Sequence, residues 1–397
     1  MLPFQFGDPV VKPLFYNRED ILKELYSCLI SIKQKQHQDC ALISPRRMGK
    51  SSILKMVMKK LEKEKIAVVY IDLSRLLPGK KFEAFLEKYI ENILNAYKKT
   101  VGWEVYYFNL KEIMAGIPDI VKRFILNLKF GVEIKEIFTL WVEYKAGVRK
   151  DISKVAEKCF ELPELLAKET KVPCIVFFDE FQEIYGFDHD LLWFIRSIIQ
   201  HHVNTAYVIT GSSVHLMNEI TSRKKGAFYG HFLIKKVPPF SPESARNFLK
   251  IRAKSAHITF TKEAIDMIIS KTNCIPFYLQ WLGLHCYLLM MSKAKVTRRV
   301  EERDVEEAYI AGIKQLPQLE EELSKVSGRT KEVLIHLAIN PKSKVSQIAS
   351  SLRTSPQVVS RELKTLERID YITKVERGVY EFVDKIFEDW IREKYIM

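Results

Sequence analysis

The sequence predicts an α/β chain in three parts. These are a core with a parallel sheet covered on both faces (1–240), a helical lid-like unit (241–325) and a small helix-and-hairpin unit (326–397). Three observations carry this. Up to residue 240, short continuous apolar runs alternate with helical stretches, the pattern of a parallel sheet buried between helices. At "SPESARNFLKIRAK" the strand signal stops, and helical periodicity continues to about residue 313. Beyond the acidic "LEEELSKVSG" a new pattern of three helices and two short strands begins. At 397 residues the chain also exceeds what one ordinary core accommodates.

The elements follow in order. Ile21, Leu22, Leu25, Leu29 and Ile32 recur at helical spacing, which predicts an amphipathic helix over 19–35. "CALIS" is a short buried strand, and "SSILKMVMKKLEKEK" is the helix after it. "IAVVYIDLS" (66–74) is a second strand, with a helix following at about 81–98. The third strand, "VPCIVFFDEFQEI" (172–184), comes late. Within the intervening insertion of about 100–150, "GVEIKEIFTLWVEYKAG" (131–147) alternates in places between bounding glycines, which predicts a hairpin. "LLWFIRSIIQHH" reads as a helix, "TAYVITGSS" as a fourth strand and "HFLIKKVPPF" as a fifth. Ser241 suits a helix cap with Pro242 at the first position. In the last part, "TKEVLIHLAIN", "KVSQIASSL" and "SPQVVSRELKTLERID" read as helices, and "YITKVERGVYEFVD" as two strands around Arg377-Gly378. That is the order of a winged helix-turn-helix, and "DKIFEDWIREKYI" closes the chain as an amphipathic helix.

Composition bounds the function. With 47% hydrophobic and 28% charged residues the chain reads as globular, and no apolar run reaches the roughly 18 residues of a membrane span. "MLPFQFGDPVVKPLFYNRED" lacks the basic-then-apolar layout of a signal peptide, so a cytoplasmic location is expected. The six cysteines form no C-x-x-C pair and read as small buried apolar residues, not as zinc ligands or a disulfide framework. A net charge of +14 favours an anionic partner such as nucleic acid.

Two short stretches carry chemistry. "SPRRMGKSS" (44–52) sits between a buried-strand signal and a helix, the setting of a phosphate-binding P-loop, G-x-x-x-x-G-K-[ST]. Pro45, Arg46, Arg47 and Met48 lead into Gly49, which permits close backbone approach. Lys50 offers a mobile cation to the β- and γ-phosphates, Ser51 a hydroxyl to Mg²⁺, and Ser52 can reach the α-phosphate side. Ser44 replaces the first glycine, so residue 44 is expected at negative φ. "IVFFDEFQEI" ends a buried strand on Asp179-Glu180, two adjacent carboxylates that need a cation nearby. In a P-loop ATPase such an aspartate holds magnesium and the following acid polarises the attacking water. The fourth strand ends in "TGSS", where Thr210, Ser212 or Ser213 could touch the γ-phosphate.

"FYNRE" (15–19), "SPRRMGKSS", "FFDEFQEI", "TGSS" and "NCIPFYLQ" (273–280), in that order, resemble the archaeal AAA+/STAND-type ATPases. The resemblance covers about residues 10–290. It implies a P-loop NTPase (AAA+-like) core and a helical lid, and members commonly end in a winged helix. By that resemblance Arg18 lies near the nucleotide, Lys50 and Ser51 take phosphates and Mg²⁺, and Asp179 takes the metal. Glu180 takes the water, Ser212 is the polar sensor, and Pro276 and Tyr278 pack against the adenine side. Two departures stand out besides Ser44. Cys274 replaces the glycine before the lid proline, and His231 follows Tyr229-Gly230 where members carry an arginine, with Arg223 as a substitute.

From Arg329 to Met397 there are 13 Lys or Arg against 10 Asp or Glu, a mild basic excess. Arg361, Lys364 and Arg368 on the third helix, with Lys374 and Arg377 on the hairpin, are the candidate contacts to duplex DNA. Protein docking through the same unit is the competing reading. The expectation is an ATP-hydrolysing, Mg²⁺-using switch whose nucleotide state positions a winged helix. A homo-oligomer is compatible with it. His201-His202 lack a third ligand and suit a helix C-terminus, and "IFTLWVEY" suits core.

Overall fold

The computed structural model describes residues 2–75, 82–102, 131–148, 151–186, 190–293 and 298–396. At its centre lie β1 (Cys40–Ile43), β2 (Ala67–Asp72), β3 (Cys174–Asp179), β4 (Thr205–Gly211) and β5 (Leu233–Lys236). All five are parallel, in the order β2-β3-β4-β1-β5. β1, β3 and β4 are buried along their whole length, which is why their sequences are continuous apolar runs. With β4 between β1 and β3, the loops that follow these three strands open at one edge of the sheet, where parallel sheets bind ligands.

Alternate residues of β3 feed opposite faces. Ile175 and Phe177 join the cluster under α1 (Glu19–Ile30) and α2 (Lys50–Leu61), with Leu25, Leu29, Ile53 and Val57. Val176 and Phe178 face the other way, among residues of α3 (Phe82–Val101), α4 (Val132–Lys145), α5 (Ile152–Thr170), α6 (Asp190–Ile199) and α7 (Val214–Thr221). There Tyr89, Phe178 and Tyr207 stack at 6.0 and 6.4 Å between ring centroids.

The expected hairpin at 131–147 is a helix, α4. Ile134, Ile137, Phe138 and Trp141 are buried at i, i+3, i+4 and i+7. The local apolar–polar alternation is therefore incidental, and the four-residue spacing of large apolar groups governs. The part of the expected insertion at 103–130 lies outside the described residues.

Beyond the sheet come α8 (Pro242–Ser255), α9 (Lys262–Thr272), α10 (Pro276–Ser292), α11 (Glu302–Ile313) and α12 (Pro317–Ser324). Ser241 caps α8, accepting from the Ser244 N–H at 3.1 Å, with Pro242 at the first position. This stretch was expected to lack strands. It contains one two-residue parallel pair, β6 (Thr259–Phe260) with β7 (Arg299–Val300), too short to leave a periodic signal. The chain ends with α13 (Gly328–Ile339), α14 (Val345–Ser351), α15 (Pro356–Arg368), the antiparallel β8 (Ile372–Glu376) and β9 (Val379–Phe382), and α16 (Lys385–Ile396).

One apolar cluster runs from Phe4 and Phe248 through Trp281 and Tyr309 to Leu334, Leu363 and Phe387. The helical stretch and the terminal unit therefore share a continuous core. The N-terminal segment is sewn into it, with the fully buried Phe4 lying where a Cβ on Gly283 would fall 2.5 Å from its ring.

Candidate functional site

The loop between β1 and α2 takes its left-handed backbone at Arg47 (φ 69°) and Gly49 (φ 90°), not at Ser44. A side chain at position 44 therefore costs no strain, and the missing glycine is replaced by a shift of the turn. Lys50 folds back, donating to the carbonyls of Ser44 at 2.7 Å and Pro45 at 2.9 Å. Burial pushes the lysine pKa down, against the pull of Glu180 and Asp179.

Asp179, the last residue of β3, collects three hydroxyls. Ser51 and Tyr70 donate to its Oδ2, each at 2.9 Å, and Thr210 donates to Oδ1. Tyr70 was not anticipated: it lies inside an apolar strand run, where a tyrosine carries no signal of a polar role. Glu180 has φ 54° and its Oε2 accepts from the Ser212 hydroxyl at 2.5 Å, the Ser212 N–H at 3.2 Å and the Gln182 amide at 2.5 Å. Burial opposes ionisation of Glu180, but Lys50, these donors and Arg46 outweigh it and hold the carboxyl below its ordinary range.

A cavity of about 390 Å³ opens between this loop and the helical stretch. Arg18, Arg46, Arg47, Met48, Gly49, Lys50, Ser51, Ser52, Glu180 and Pro276 line it, together with Tyr16, Phe240 and Phe277. Basic, hydroxyl and aromatic side chains thus share its wall, a lining suited to a ligand with both a charged and a flat part. Arg18 caps α1 at φ 79°, 4.8 Å over the Phe240 ring, and donates to the Pro238 carbonyl. Burial lowers its pKa to about 10. Ser52 accepts from the Val10 N–H at 3.0 Å, which ties the N-terminal segment to the loop.

Near the lid motif, Asn273 (φ 47°) and Cys274 (φ 57°) both adopt the left-handed conformation that a glycine takes without strain. Cys274 therefore reproduces the turn at a conformational cost. Tyr278 does not line the cavity. It is fully buried and donates to Asp384 ahead of α16, while Phe277 lines the wall instead.

The two loop arginines turn toward the C-terminal part of the same chain. Arg46 donates to Glu322 Oε1 at 2.8 Å, and Arg47 to Glu322 Oε2 at 2.5 Å and to Asp384 Oδ2 at 2.7 Å. Glu322 is on α12; its side chain is 8% exposed and that of Arg47 9%, so their pair is buried, whereas Arg46 is 37% exposed. Burial opposes charge on Glu322, but Arg47 and Arg46 win and lower its pKa; burial raises that of Asp384 despite Arg47. A second tie joins the end of β4 to the terminal unit. Asp370 accepts from the Ser213 hydroxyl at 2.8 Å and the His215 N–H at 3.0 Å.

His231 is held inward, 2.8 Å from Asp39, and Arg223 pairs with Glu219 at 2.9 Å. Of the basic residues expected on the terminal unit, Arg361, Lys364, Arg368, Lys374 and Arg377 are all exposed. Arg361 pairs with its neighbour Glu362 at 2.9 Å, and Arg368 lies 3.5 Å from Glu219 on α7. Five of the six cysteines are buried and all are free. Among the described residues no helix is long and apolar enough to cross a membrane.

Comparison with known proteins adds the following. A sequence model of an ATPase domain predominantly from Archaea matches residues 15–282. The chain is 23% identical over 391 residues to an uncharacterized HTH-type transcriptional regulator of Methanocaldococcus jannaschii, covering 94% of this chain and 88% of the relative. The Walker-type ATPase of Pyrococcus abyssi superposes with a TM-score of 0.65 at 18% identity, over 98% of this chain and 100% of its own. The ORC1 protein of Aeropyrum pernix, solved in complex with DNA, superposes with a TM-score of 0.51 at 13% identity, over 97% and 94%.

Proposed function

The chain belongs to the family of ATPase domains found predominantly in Archaea, and is an ATPase; on that premise we propose that its nucleotide state governs how the C-terminal unit is held. The triphosphate would lie along 44–52, with Lys50 exchanging the Ser44 and Pro45 carbonyls for phosphate oxygens. The base would lie toward Arg18, Phe240, Pro276 and Phe277. Water would attack the γ-phosphorus as its proton passes to Glu180. The bond to the bridging oxygen then breaks, and its electron pair leaves with ADP. Ser212 and Thr210 keep the two carboxylates in place.

The donor set suits Mg²⁺. Asp179 and Ser51 are hard oxygen ligands, and Mg²⁺ is commonly held by one carboxylate together with substrate phosphates. Ser51 spends its proton on Asp179, so its lone pairs stay open to a cation. When bound, the ion would neutralise charge building on the phosphates.

One observation carries the switch: both loop arginines pair with Glu322, and Arg47 pairs with Asp384 as well. A triphosphate at this loop competes with those carboxylates for the same guanidinium groups, so binding loosens the tie to α12 and α16. We read the terminal unit as a winged helix that contacts duplex DNA. The exposed basic residues of α15 and β8, the net charge of +14 and the regulator named among the relatives support this reading. A slow, nucleotide-gated switch that docks a protein is the second reading, favoured by the pairing of Arg361 and Arg368 with carboxylates.

Turnover measured with and without duplex DNA tests the assignment. Lys50→Ala should lose nucleotide binding, and Glu180→Gln should bind ATP without turning it over. Duplex DNA should bind with an affinity that falls steeply between 50 and 200 mM salt, on the order of 10³-fold for six phosphate contacts. Full turnover in both variants sinks the site, and DNA that neither binds nor alters turnover leaves the docking reading.

A further inference from the structure

Gln182, in the middle of "DEFQEI", is used neither by phosphate nor by metal in the reading above, yet it donates directly to Glu180 from a buried position. β3 ends at Asp179, and the left-handed backbone of Glu180 (φ 54°) turns the chain into a short helical turn over 181–186. That turn, closed by the Glu183 N–H donating to the Glu180 carbonyl at 3.0 Å, brings residue 182 back beneath residue 180. The Gln182 side chain is then 5% exposed. Its amide N–H₂ donates to Glu180 Oε2 at 2.5 Å and lies 3.4 Å from the Ser212 hydroxyl.

The neighbouring strand is shaped for it. A Cβ on Gly211, the last residue of β4, would fall 2.7 Å from Gln182 Oε1 and 2.2 Å from Met217 Cγ. The absence of a side chain there is what leaves room for the glutamine. The amide has one workable orientation, because the flipped form sets its carbonyl against the Glu180 carboxylate, acceptor against acceptor. In the workable orientation Gln182 Oε1 is buried without a partner among the described residues. An unpaired buried acceptor is a cost, and here it accompanies the donation that the amide makes to Glu180.

The result at Glu180 is asymmetric. Oε2 takes the Ser212 hydroxyl, the Ser212 N–H and the Gln182 amide, and no described residue donates to Oε1. Glu180 also lines the cavity. One oxygen is anchored by three donors and the other is left for a water.

We infer that Gln182 is a positioning residue for hydrolysis: with Ser212 it pins Oε2 of Glu180, so that Oε1 alone is presented to the attacking water. This rests on the reading of Glu180 as the base. Misplacing such a group by an ångström costs on the order of 100-fold in rate without weakening substrate binding.

The test uses the full chain with Gln182→Leu and Gln182→Met, which keep the volume and remove the donor, alone and combined with Glu180→Gln. Nucleotide affinity and the urea midpoint are measured on each, to show that the site and fold persist. The expected result is a fall in kcat of roughly 10- to 100-fold with KM for ATP within about 2-fold of wild type. In the Glu180→Gln background the same substitution should change the residual rate by less than about 2-fold, because its route of action is already gone. Wild-type kcat in both Gln182 variants, or an equal loss repeated in the Glu180→Gln background, overturns the inference while leaving the base assignment standing. Wild-type turnover in Glu180→Gln alone overturns both.

Discussion

Single atoms decide whether the acidic end of β3 can work. Gly211 is the plainest case: Gly211→Ala forces a Cβ into Met217 and Gln182 Oε1. Overpacking of this kind costs about 1–3 kcal/mol, and here it also dislodges the amide that pins Glu180. We expect a lower urea midpoint and a kcat loss resembling that of Gln182→Leu, and a variant with unchanged midpoint and rate would refute the packing argument. A second residue-scale effect follows from His202, whose Nδ1 lies 2.8 Å from the Tyr207 hydroxyl. Burial lowers its pKa to about 4, from an ordinary 6.5, despite Glu164 and Asp39. The unfolded chain therefore takes up this proton as pH falls below 6.5, whereas the folded chain takes it only near 4. Stability is lost across that window, by about 3 kcal/mol for this group. Thermal unfolding between pH 7 and 4 should be less acid-sensitive in His202→Gln than in wild type.

At the scale of elements, what the sequence made legible was what local periodicity or a fixed spacing encodes. The five sheet strands, the capped start of α8 and the P-loop setting follow from continuous apolar runs, Ser241-Pro242 and Gly49-Lys50-Ser51. α4 was misjudged because a short alternation between two glycines outweighed the wider spacing of Ile134, Ile137, Phe138 and Trp141. Trp141 is fully buried in the core cluster to which α3 and α5 also contribute, so Trp141→Ala should cost about 3–5 kcal/mol in chemical denaturation. A hairpin with an exposed tryptophan would lose far less. The candidate site was legible where one short segment supplies its groups, as with Lys50 and Ser51, or Asp179 and Glu180. Partners that arrive from another strand or from the far end of the chain were not. Tyr70 reaches Asp179 across the β2–β3 pair, and Glu322 and Asp384 reach Arg47 over separations of 275 and 337 residues.

At the scale of the whole molecule, the helical stretch and the terminal unit are tied to the core at the loops after β1 and β4, which flank the candidate site. Glu322 and Asp384 hold the loop after β1, and Asp370 holds the residues after β4. Removing one partner of a buried pair leaves an uncompensated charge and costs about 3–5 kcal/mol, so Glu322→Gln should weaken docking far more than loss of a surface pair. If ATP competes for those arginines and the freed unit binds DNA more tightly, the coupling must run both ways. A factor by which ATP raises DNA affinity is then the factor by which DNA raises ATP affinity, a coupling typically of about 5- to 150-fold. Two titrations on Glu180→Gln, which should hold ATP without hydrolysing it, measure both arms: labelled duplex with and without ATP, and labelled ATP with and without duplex. The two factors should agree, and both should shrink toward one in Glu322→Gln, because the tie that transmits the coupling is already weakened. Equal, undiminished factors in Glu322→Gln would mean that coupling travels by another route, the Asp370–Ser213 contact being the next to break.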